Sequence, residues 1–196
     1  QLEAFMRDHV DSDRIDREGQ IPPEVFEGLR RLGAFGIKIP EEYGGLGLSQ
    51  TSYTHAIGLV TSQDGSLTAL LSAAQSIGVP QPLKLFGTPE QKRKYLPRLA
   101  KGAISAFALT EANVGSDPAA LSTTAVKSED GSHWMLSGEK LWCTNGTCAE
   151  LMVVMARTGP KKRPMNTLLP PCRVKNAWPR SSQSGWRVNG HRRGTT

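Results

Sequence analysis

The fold of this chain is decided by Phe107-Ala-Leu-Thr-Glu-Ala-Asn-Val-Gly-Ser-Asp117, followed after strand-like sequence by Gly138-Glu-Lys-Leu-Trp-Cys-Thr-Asn-Gly146. The first stretch leaves an apolar strand, passes a hydroxyl and a carboxylate, and ends in a glycine and a serine whose N–H and O–H groups can approach an anion. The second places the indole of Trp142 beside Thr144 in a short strand that ends at an Asn-Gly turn. One residue can cover a ring face while the other hydrogen-bonds the ring edge, an arrangement that suits a flavin.

Together the two stretches closely resemble the acyl-CoA dehydrogenase family, whose middle domain carries patterns like L-T-E-P-x-A-G-S-D and G-x-K-x-W-I-T-N-G. Ala112 stands where the family has proline, and Cys143 where it has an aliphatic residue. Neither residue supplies a flavin contact through its side chain, so the assignment holds. The resemblance covers about residues 20 to 158 through further segments: Leu32-Gly-Ala-Phe-Gly-Ile-Lys-Ile-Pro-Glu-Glu-Tyr-Gly-Gly-Leu-Gly47, Ala74-Gln-Ser-Ile-Gly78, Gly87-Thr-Pro-Glu-Gln-Lys92 and Tyr95-Leu-Pro97.

The resemblance implies an FAD site in the middle domain. It assigns Leu109 and Thr110 to the pyrimidine edge of the ring system, Trp142 to its flank, and Thr144 to a hydrogen bond toward N5. The implied cofactor-binding residues are Phe107, Leu109, Thr110, Gly115, Ser116, Trp142, Cys143 and Thr144.

The glycine and serine of the first stretch are implied to serve two ligands. Gly115 and Ser116 would lie along the pyrophosphate of FAD, and Ser116 is also the implied contact for acyl-CoA. Each residue by itself has an ordinary alternative, since threonines are common in strands and Ser116-Asp117 can be a turn or a helix cap. Only the joint occurrence of these residues in family order favours the flavin site.

The implied reaction is the α,β-dehydrogenation of acyl-CoA thioesters, by α-proton abstraction and β-hydride transfer to N5 of FAD. We reject Glu111 as the base, because in the family that role belongs to a glutamate of the C-terminal helical domain, and we assign no catalytic residue. Since this chain stops before such a domain, we expect an inactive fragment. The implied partners are an acyl-CoA substrate, an electron-transfer flavoprotein or similar acceptor, and further copies of the chain in the intact enzyme. The implied location is the bacterial cytoplasm or the mitochondrial matrix.

Charge is distributed unevenly along the 196 residues. The net charge is +6, yet residues 1 to 150 hold 14 Lys/Arg and 18 Asp/Glu, whereas residues 151 to 196 hold 10 Lys/Arg and no acidic residue. The three cysteines form no C-x-x-C pair and the four histidines lie far apart, so the sequence predicts no metal site. No apolar run approaches the roughly 18 residues of a membrane span.

The chain predicts an α+β fold in which an N-terminal helical domain, residues 1–102, precedes a small, incomplete, antiparallel β-barrel-like domain, residues 103–165. Helical spacing from Pro22-Pro23 is expected to end at Gly36, Ser66 to Ile77 is predicted to be a buried helix, and Thr88-Pro-Glu-Gln91 is a capping box. Strands are predicted over Ser105 to Thr110, Leu121 to Lys127, His133 to Ser137, Lys140 to Thr144 and Leu151 to Arg157.

Residues 166–196 show neither strand alternation nor helical spacing, and we predict a basic tail that is disordered or out of frame. Two functions outside catalysis remain open. The helical half can be a non-catalytic binding module. The tail can bind RNA or anionic lipid through Lys and Arg, with Trp178 and Trp186 stacking on bases, although we expect no nucleic-acid partner.

Overall fold

A computed structural model describes residues 1–159 together with the backbone of residues 172–173 and 186–188. The chain divides into two compact units, the first from Gln1 to Ile104 and the second from Ser105 onward. The first is helical and the second is built from strands, which confirms the α+β composition predicted from the sequence.

In the described part of the chain the first unit contains seven α-helices, a short 3-10 turn at Glu41–Tyr43 and a π-helical segment at Ala73–Ile77. The α-helices are α1 (Leu2–His9), α2 (Ser12–Glu18), α3 (Pro23–Arg31), α4 (Gln50–Thr61), α5 (Gly65–Ser72), α6 (Pro80–Phe86) and α7 (Pro89–Ala100). Their apolar faces enclose one core, whose buried members include Met6, Val25, Leu29, Phe35, Val60, Leu67, Leu71 and Ile104.

The predicted end of α3 at Gly36 is wrong by one turn. The helix stops at Arg31, and Gly33 adopts the left-handed backbone with a φ of +69°. Glycine reaches that region without a Cβ clash, so Gly33 reverses the chain three residues before the glycine chosen from the sequence. The buried Phe35 lies beyond this reversal, and its helical spacing relative to α3 is accidental.

The capping box at the start of α7 is confirmed. The Gln91 backbone N–H donates to Thr88 Oγ1 at 3.3 Å, and the Thr88 backbone N–H donates to Gln91 Oε1 at 2.9 Å. Both donors would otherwise lack a partner in the first turn of the helix. The helix extends to Ala100, although it contains Pro97.

Gln75 ties the π-helical segment to the loop after α3. It is 2% exposed, its Oε1 accepts the Ile37 N–H at 3.0 Å, and its Nε2 donates to the Ala34 carbonyl at 2.6 Å. The side chain therefore satisfies two backbone groups inside the core. The single helix predicted over Ser66 to Ile77 is thus two segments, with the π-helical turn placing Gln75 on the buried side.

The described residues of the second unit form two three-stranded sheets. Its strands are β1 (Ser105–Ala108), β2 (Thr124–Lys127), β3 (Trp134–Lys140), β4 (Leu151–Val154), β5 (Cys172–Arg173) and β6 (Trp186–Val188). One sheet has the order β1-β4-β5 and the other β2-β3-β6. The Ala125 N–H donates to the Arg157 carbonyl at 2.7 Å and the Arg157 N–H to the Thr123 carbonyl at 2.9 Å. The chain just after β4 therefore joins the two sheets.

The prediction of a wholly antiparallel domain is wrong. Strands β1 and β4 pair in parallel, with Ser105 opposite Leu151 and Ala108 opposite Val154. A parallel pair needs a long crossover, and residues 109–150 supply it. Among the described residues the two sheets form no closed barrel, so only the coarser statement, a mixed helical and stranded fold, stands.

The predicted strand from Lys140 to Thr144 is also wrong. Lys140 ends β3, and residues 141–144 form a bend in which Trp142 has a φ of +56°. The alternation of the sequence continues through this bend, so polarity alone cannot show that the strand has ended.

Five residues of the predicted tail lie in strands. Cys172–Arg173 pairs with Leu151–Met152, and Trp186–Val188 pairs with Gly138–Lys140. The remainder of the segment predicted to be disordered or out of frame, including Trp178, lies outside the described residues. Within the part of the chain that the structure describes, none of the helices is both long and apolar enough to cross a membrane.

Replacing Gln75 with leucine should destabilise the helical unit. The variant keeps the volume but leaves the Ile37 N–H and the Ala34 carbonyl buried without their partner, which costs about 1 to 3 kcal/mol for each group. Gln63→Leu is the matched control, because the side chain of Gln63 is exposed. Urea unfolding measures the free energy of unfolding of the two variants. An equal stability for the two variants would contradict the role given to Gln75.

Candidate functional site

The two stretches that suggested a flavin site meet in the second unit. The Lys140 Nζ donates to the Leu109 carbonyl at 2.9 Å and to Glu111 Oε1 at 2.8 Å. The Leu141 backbone N–H donates to the Thr110 carbonyl at 2.8 Å. Three consecutive residues after β1 are therefore attached to the end of β3.

Glu111 is held on both carboxylate oxygens. Its Oε2 accepts the Ser122 N–H at 2.7 Å and the Ser122 Oγ at 2.5 Å, and its Oε1 accepts the Thr123 N–H at 2.9 Å and Oγ1 at 2.5 Å. With the Lys140 ammonium added, the carboxylate has five donors, which is a saturated set for a buried anion. The side chain of Lys140 has no exposed surface and that of Glu111 is 4% exposed.

The electrostatics of this pair follow from its burial and its donors. Burial alone raises the pKa of Glu111, but hydrogen bonds from Lys140, Ser122 and Thr123 outweigh it and lower the pKa to about 2. Burial also lowers the pKa of Lys140 below its usual range, although the neighbouring carboxylate opposes this shift. A carboxylate with such a low pKa is a poor proton acceptor at neutral pH, which agrees with the rejection of Glu111 as a base.

A tight turn leads from Glu111 to the predicted phosphate contacts. The Glu111 N–H donates to the Val114 carbonyl at 3.1 Å, and the Val114 N–H returns to the Glu111 carbonyl at 3.0 Å. Val114 is buried, whereas Gly115 and Ser116 after it are exposed. A Cβ built on Gly115 meets no atom within 4 Å. Packing therefore does not require glycine here, and the free space beside its backbone fits the close approach of a ligand.

Asp117 has the structural role that the sequence left open. Its Oδ1 accepts the Ala119 N–H at 3.1 Å and caps the short 3-10 helix Pro118–Ala120. Of the pair Ser116-Asp117, it is Asp117 that caps a helix, as one alternative predicted from the sequence had it.

Trp142 is the most unusual residue of the second stretch. Its side chain is 73% exposed, and its backbone lies in the left-handed region at a φ of +56°. For a bulky residue this conformation costs on the order of 1 to 3 kcal/mol and persists only where neighbours enforce it. Lys140 and Cys143 on either side are the enforcing neighbours, since both point into the unit.

Cys143 packs inward while Thr144 faces solvent. The thiol joins a core cluster with Ala106, Ala108 and Met152, and burial raises its pKa to about 11. It is therefore an inert apolar group that can replace the aliphatic residue of the family pattern. Its inclusion among the cofactor residues rests on its backbone alone. Thr144 is exposed at the following position.

Phe107 and Asn145 complete the surroundings. Phe107 is half-buried in β1 opposite Val153, and the alanines before and after it point to the other face. The Asn145 Nδ2 donates to the Ser105 carbonyl at 3.2 Å from a left-handed backbone. Asparagine adopts that backbone more readily than most residues, so Asn145 anchors the turn after Thr144 to the start of β1.

The structure thus brings Leu109 and Thr110 beside the residues that precede Trp142, and leaves Trp142, Thr144, Gly115 and Ser116 exposed. Three residues that hold this arrangement were not predicted: Lys140, Ser122 and Thr123. The sequence offered two signals: a lysine in a segment with strand alternation, and a single carboxylate between Thr110 and Gly115. Neither signal shows that the two side chains are partners, because 29 residues separate them.

Comparisons with known proteins agree with these observations. The sequence model of the acyl-CoA dehydrogenase N-terminal domain matches residues 1–103, and that of the middle domain matches residues 106–192. The second match runs past the domain end that we placed at residue 165. That boundary stays a prediction.

Two curated relatives and one solved structure illustrate the similarity. The probable acyl-CoA dehydrogenase FadE10 of Mycobacterium tuberculosis is 59% identical over 156 residues, which are 80% of this chain and 24% of the relative. The very long-chain specific acyl-CoA dehydrogenase, mitochondrial, of Homo sapiens is 41% identical over 158 residues, again 80% and 24%. An acyl-CoA dehydrogenase of Bacillus anthracis complexed with FAD has a TM-score of 0.70 at 35% identity, covering 80% of this chain and 27% of that one. The chain spans about a quarter of the length of these curated relatives.

Acid should weaken the second unit through Glu111. Its pKa is about 2 in the folded chain, against an ordinary value of 4.5. The folded state therefore binds the proton less readily than the unfolded state, and the stabilisation is complete above about pH 4.5 and lost as the pH falls toward 2. The contribution is on the order of 3 kcal/mol.

Urea unfolding between pH 7 and pH 3 measures this loss, and the NMR titration of the Glu111 carboxyl assigns it. Asp130→Asn is the control, because hydrogen bonds from Ser128 and Ser132 also lower the pKa of Asp130. The acid loss should persist in that variant. A Glu111 midpoint above pH 4 would show that the five donors do not act as described.

Proposed function

Because the chain belongs to the acyl-CoA dehydrogenase family, we propose that its second unit holds FAD at the surface formed by residues 109–116 and 140–144. We further propose that the whole protein α,β-dehydrogenates acyl-CoA thioesters. Family membership and the FAD complex of the Bacillus anthracis relative support the cofactor. The geometry of Trp142 carries the proposal for this surface.

An exposed indole on a left-handed backbone has no benefit for folding. Trp142 leaves most of its surface in solvent and its backbone is strained, whereas the buried Lys140 and the half-buried Cys143 pack into the unit. Strain of this kind concentrates at binding sites. A flat aromatic ligand lying against the indole would recover the apolar burial that the protein alone does not provide.

The polar contacts are proposed on either side of that ring. Thr144, exposed two residues after Trp142, can donate its hydroxyl to the ring edge, and Leu109 and Thr110 are held beside the same bend by Lys140 and Leu141. Donors at a ring edge stabilise negative charge that develops there. When bound, FAD supplies the acceptor for the β-hydride, which protein side chains cannot provide.

The phosphates are proposed to lie along Gly115 and Ser116. Both residues are exposed, the glycine backbone is open, and a serine hydroxyl follows it. Backbone N–H groups in such a turn bind anions without a charged side chain. Ser116 is also the proposed contact for the acyl-CoA substrate.

The base of the reaction is not Glu111. Both of its oxygens already accept hydrogen bonds, its side chain is 4% exposed, and its pKa is low. An α-proton could not reach it without breaking the buried pair. Four expectations stay predictions: an electron-transfer flavoprotein or similar acceptor as partner, a homo-oligomeric state, the cellular location, and the inactivity of the 196-residue chain by itself. Flavin binding is therefore measured apart from turnover.

Replacing Trp142 and Thr144 together with alanine should weaken FAD binding about 30-fold, because the variant loses an aromatic contact and one net hydrogen bond, each worth about 1 kcal/mol. Fluorescence titration with FAD measures the dissociation constant. Val126→Ala is the control, since Val126 is also a large exposed apolar residue, at 58%, and lies outside the proposed surface. Equal FAD affinities in the double variant and the wild type would contradict the assignment of Trp142 and Thr144 to FAD binding.

Gly115→Ala tests the phosphate position without disturbing the fold. A methyl group there meets open space, so the unfolding free energy should stay within about 0.5 kcal/mol of the wild type or rise slightly. FAD affinity should nevertheless fall about tenfold, because the Cβ keeps the pyrophosphate from the backbone. An unchanged FAD affinity would show that the phosphates do not lie along Gly115. A large loss of stability would contradict the open space.

A further inference from the structure

Lys140 is a charged residue where a core would ordinarily have an apolar one. It ends β3 with a side chain that has no exposed surface, and its ammonium lies among groups contributed by residues 109–111. Removing an ammonium from water costs several kcal/mol even when it is paired. An apolar residue would fill the same volume without that cost, so the ammonium has to do something that an apolar side chain cannot.

The hydrogen bond to Leu109 indicates what the ammonium does. Lys140 Nζ donates a hydrogen bond to the Leu109 carbonyl oxygen at 2.9 Å. Because a trans peptide is planar, its N–H points opposite to its C=O, and the Thr110 N–H is therefore directed away from Lys140. The ammonium thus sets the orientation of a backbone donor at the proposed ring edge.

The same residue also fixes the start of the bend that carries Trp142. Lys140 is bound to Glu111, and Leu141 is bound to the Thr110 carbonyl. Trp142 follows immediately with its left-handed backbone. The position of the indole therefore depends on how firmly residues 140 and 141 are attached to residues 109–111.

We propose that Lys140 is a positioning residue of the flavin site, where its ammonium orients the Leu109–Thr110 peptide and holds the bend that presents Trp142. This inference rests on the proposed function, since it assigns that peptide and that indole to FAD. Lys140 does not touch the cofactor and acts through the groups that do.

Lys140→Met separates this role from stability. Methionine has a similar length and no charge, and Glu111 keeps its four hydrogen bonds from Ser122 and Thr123. Loss of one partner of a buried ion pair is destabilising, and the four remaining hydrogen bonds compensate the carboxylate in part, so the variant is expected to fold with lower stability than the wild type. Glu111→Gln is less informative, because it leaves the buried ammonium unpaired and places amide hydrogens against four donors.

Two controls accompany the variant. Lys127→Met makes the same chemical change at the exposed end of β2. Leu151→Ala removes a side chain of β4 that has no exposed surface, and so lowers stability. Leu151 precedes Met152 in the strand, so its side chain points to the face opposite to the cluster that Cys143 joins. Each protein is titrated with FAD below its unfolding temperature, and the visible spectrum of the bound flavin is recorded.

Lys140→Met should bind FAD at least about tenfold more weakly and shift the flavin spectrum, because the edge donor and the indole are no longer held. Lys127→Met and Leu151→Ala should bind FAD with the wild-type spectrum and affinity. If Lys140→Met matches the wild type in both, or if Leu151→Ala loses as much affinity, the positioning role is wrong.

A second measurement needs no flavin. The indole N–H resonance of Trp142, assigned with Trp142→Phe, should shift or broaden in Lys140→Met and stay in place in Lys127→Met. If the wild type binds no FAD, the proposed function fails, and the indole resonance still decides whether Lys140 holds the bend. An unmoved resonance in Lys140→Met overturns the inference.

Discussion

The arrangement of the second unit depends on the ion pair between Lys140 and Glu111. An isolated charge in a protein interior is very unfavourable, so each partner fixes where the other must lie. Glu111 also accepts from Ser122 and Thr123, which join β2, while Lys140 ends β3. The long crossover between the parallel strands β1 and β4 therefore contains a buried carboxylate that links three of its segments, in addition to buried apolar side chains such as Val114 and Leu121.

This constraint explains how a strained and exposed indole can persist. At the end of β3 and in the bend after it, Lys140 and Cys143 point inward, held by the ion pair and by the core cluster, while Trp142 and Thr144 point to solvent. The inward residues supply the free energy that the left-handed backbone of Trp142 costs. The left-handed backbone and the exposed indole of Trp142 thus lie where the proposed ligand would contact the protein.

Much of the helical unit could be predicted from the sequence because its signals are local. The Thr88–Gln91 capping box spans one turn and was found where the sequence placed it. Gly33 and Gly36 could not be separated in the same way, because both are near the end of α3 and only the folded backbone shows which one turns left-handed. Gln75 escaped prediction because its two partners belong to a loop about 40 residues earlier.

In the β unit the ligand-facing residues could be proposed from the family resemblance, whereas the residues that hold them could not. Strand alternation suggested a separate strand over residues 140–144, whereas β3 runs to Lys140 and the hydrogen bond from the Leu141 N–H to the Thr110 carbonyl takes the chain away from the sheet. The lysine of the second stretch is part of the resemblance, yet a resemblance gives no reason for a residue type. The burial of Lys140 explains why a lysine is suitable at this position. Its side chain lies out of solvent beside a carboxylate and a carbonyl near the end of β1, and its long chain with several N–H donors satisfies both acceptors. The two stretches therefore lie together because the buried ammonium of the second requires the carbonyl and the carboxylate of the first.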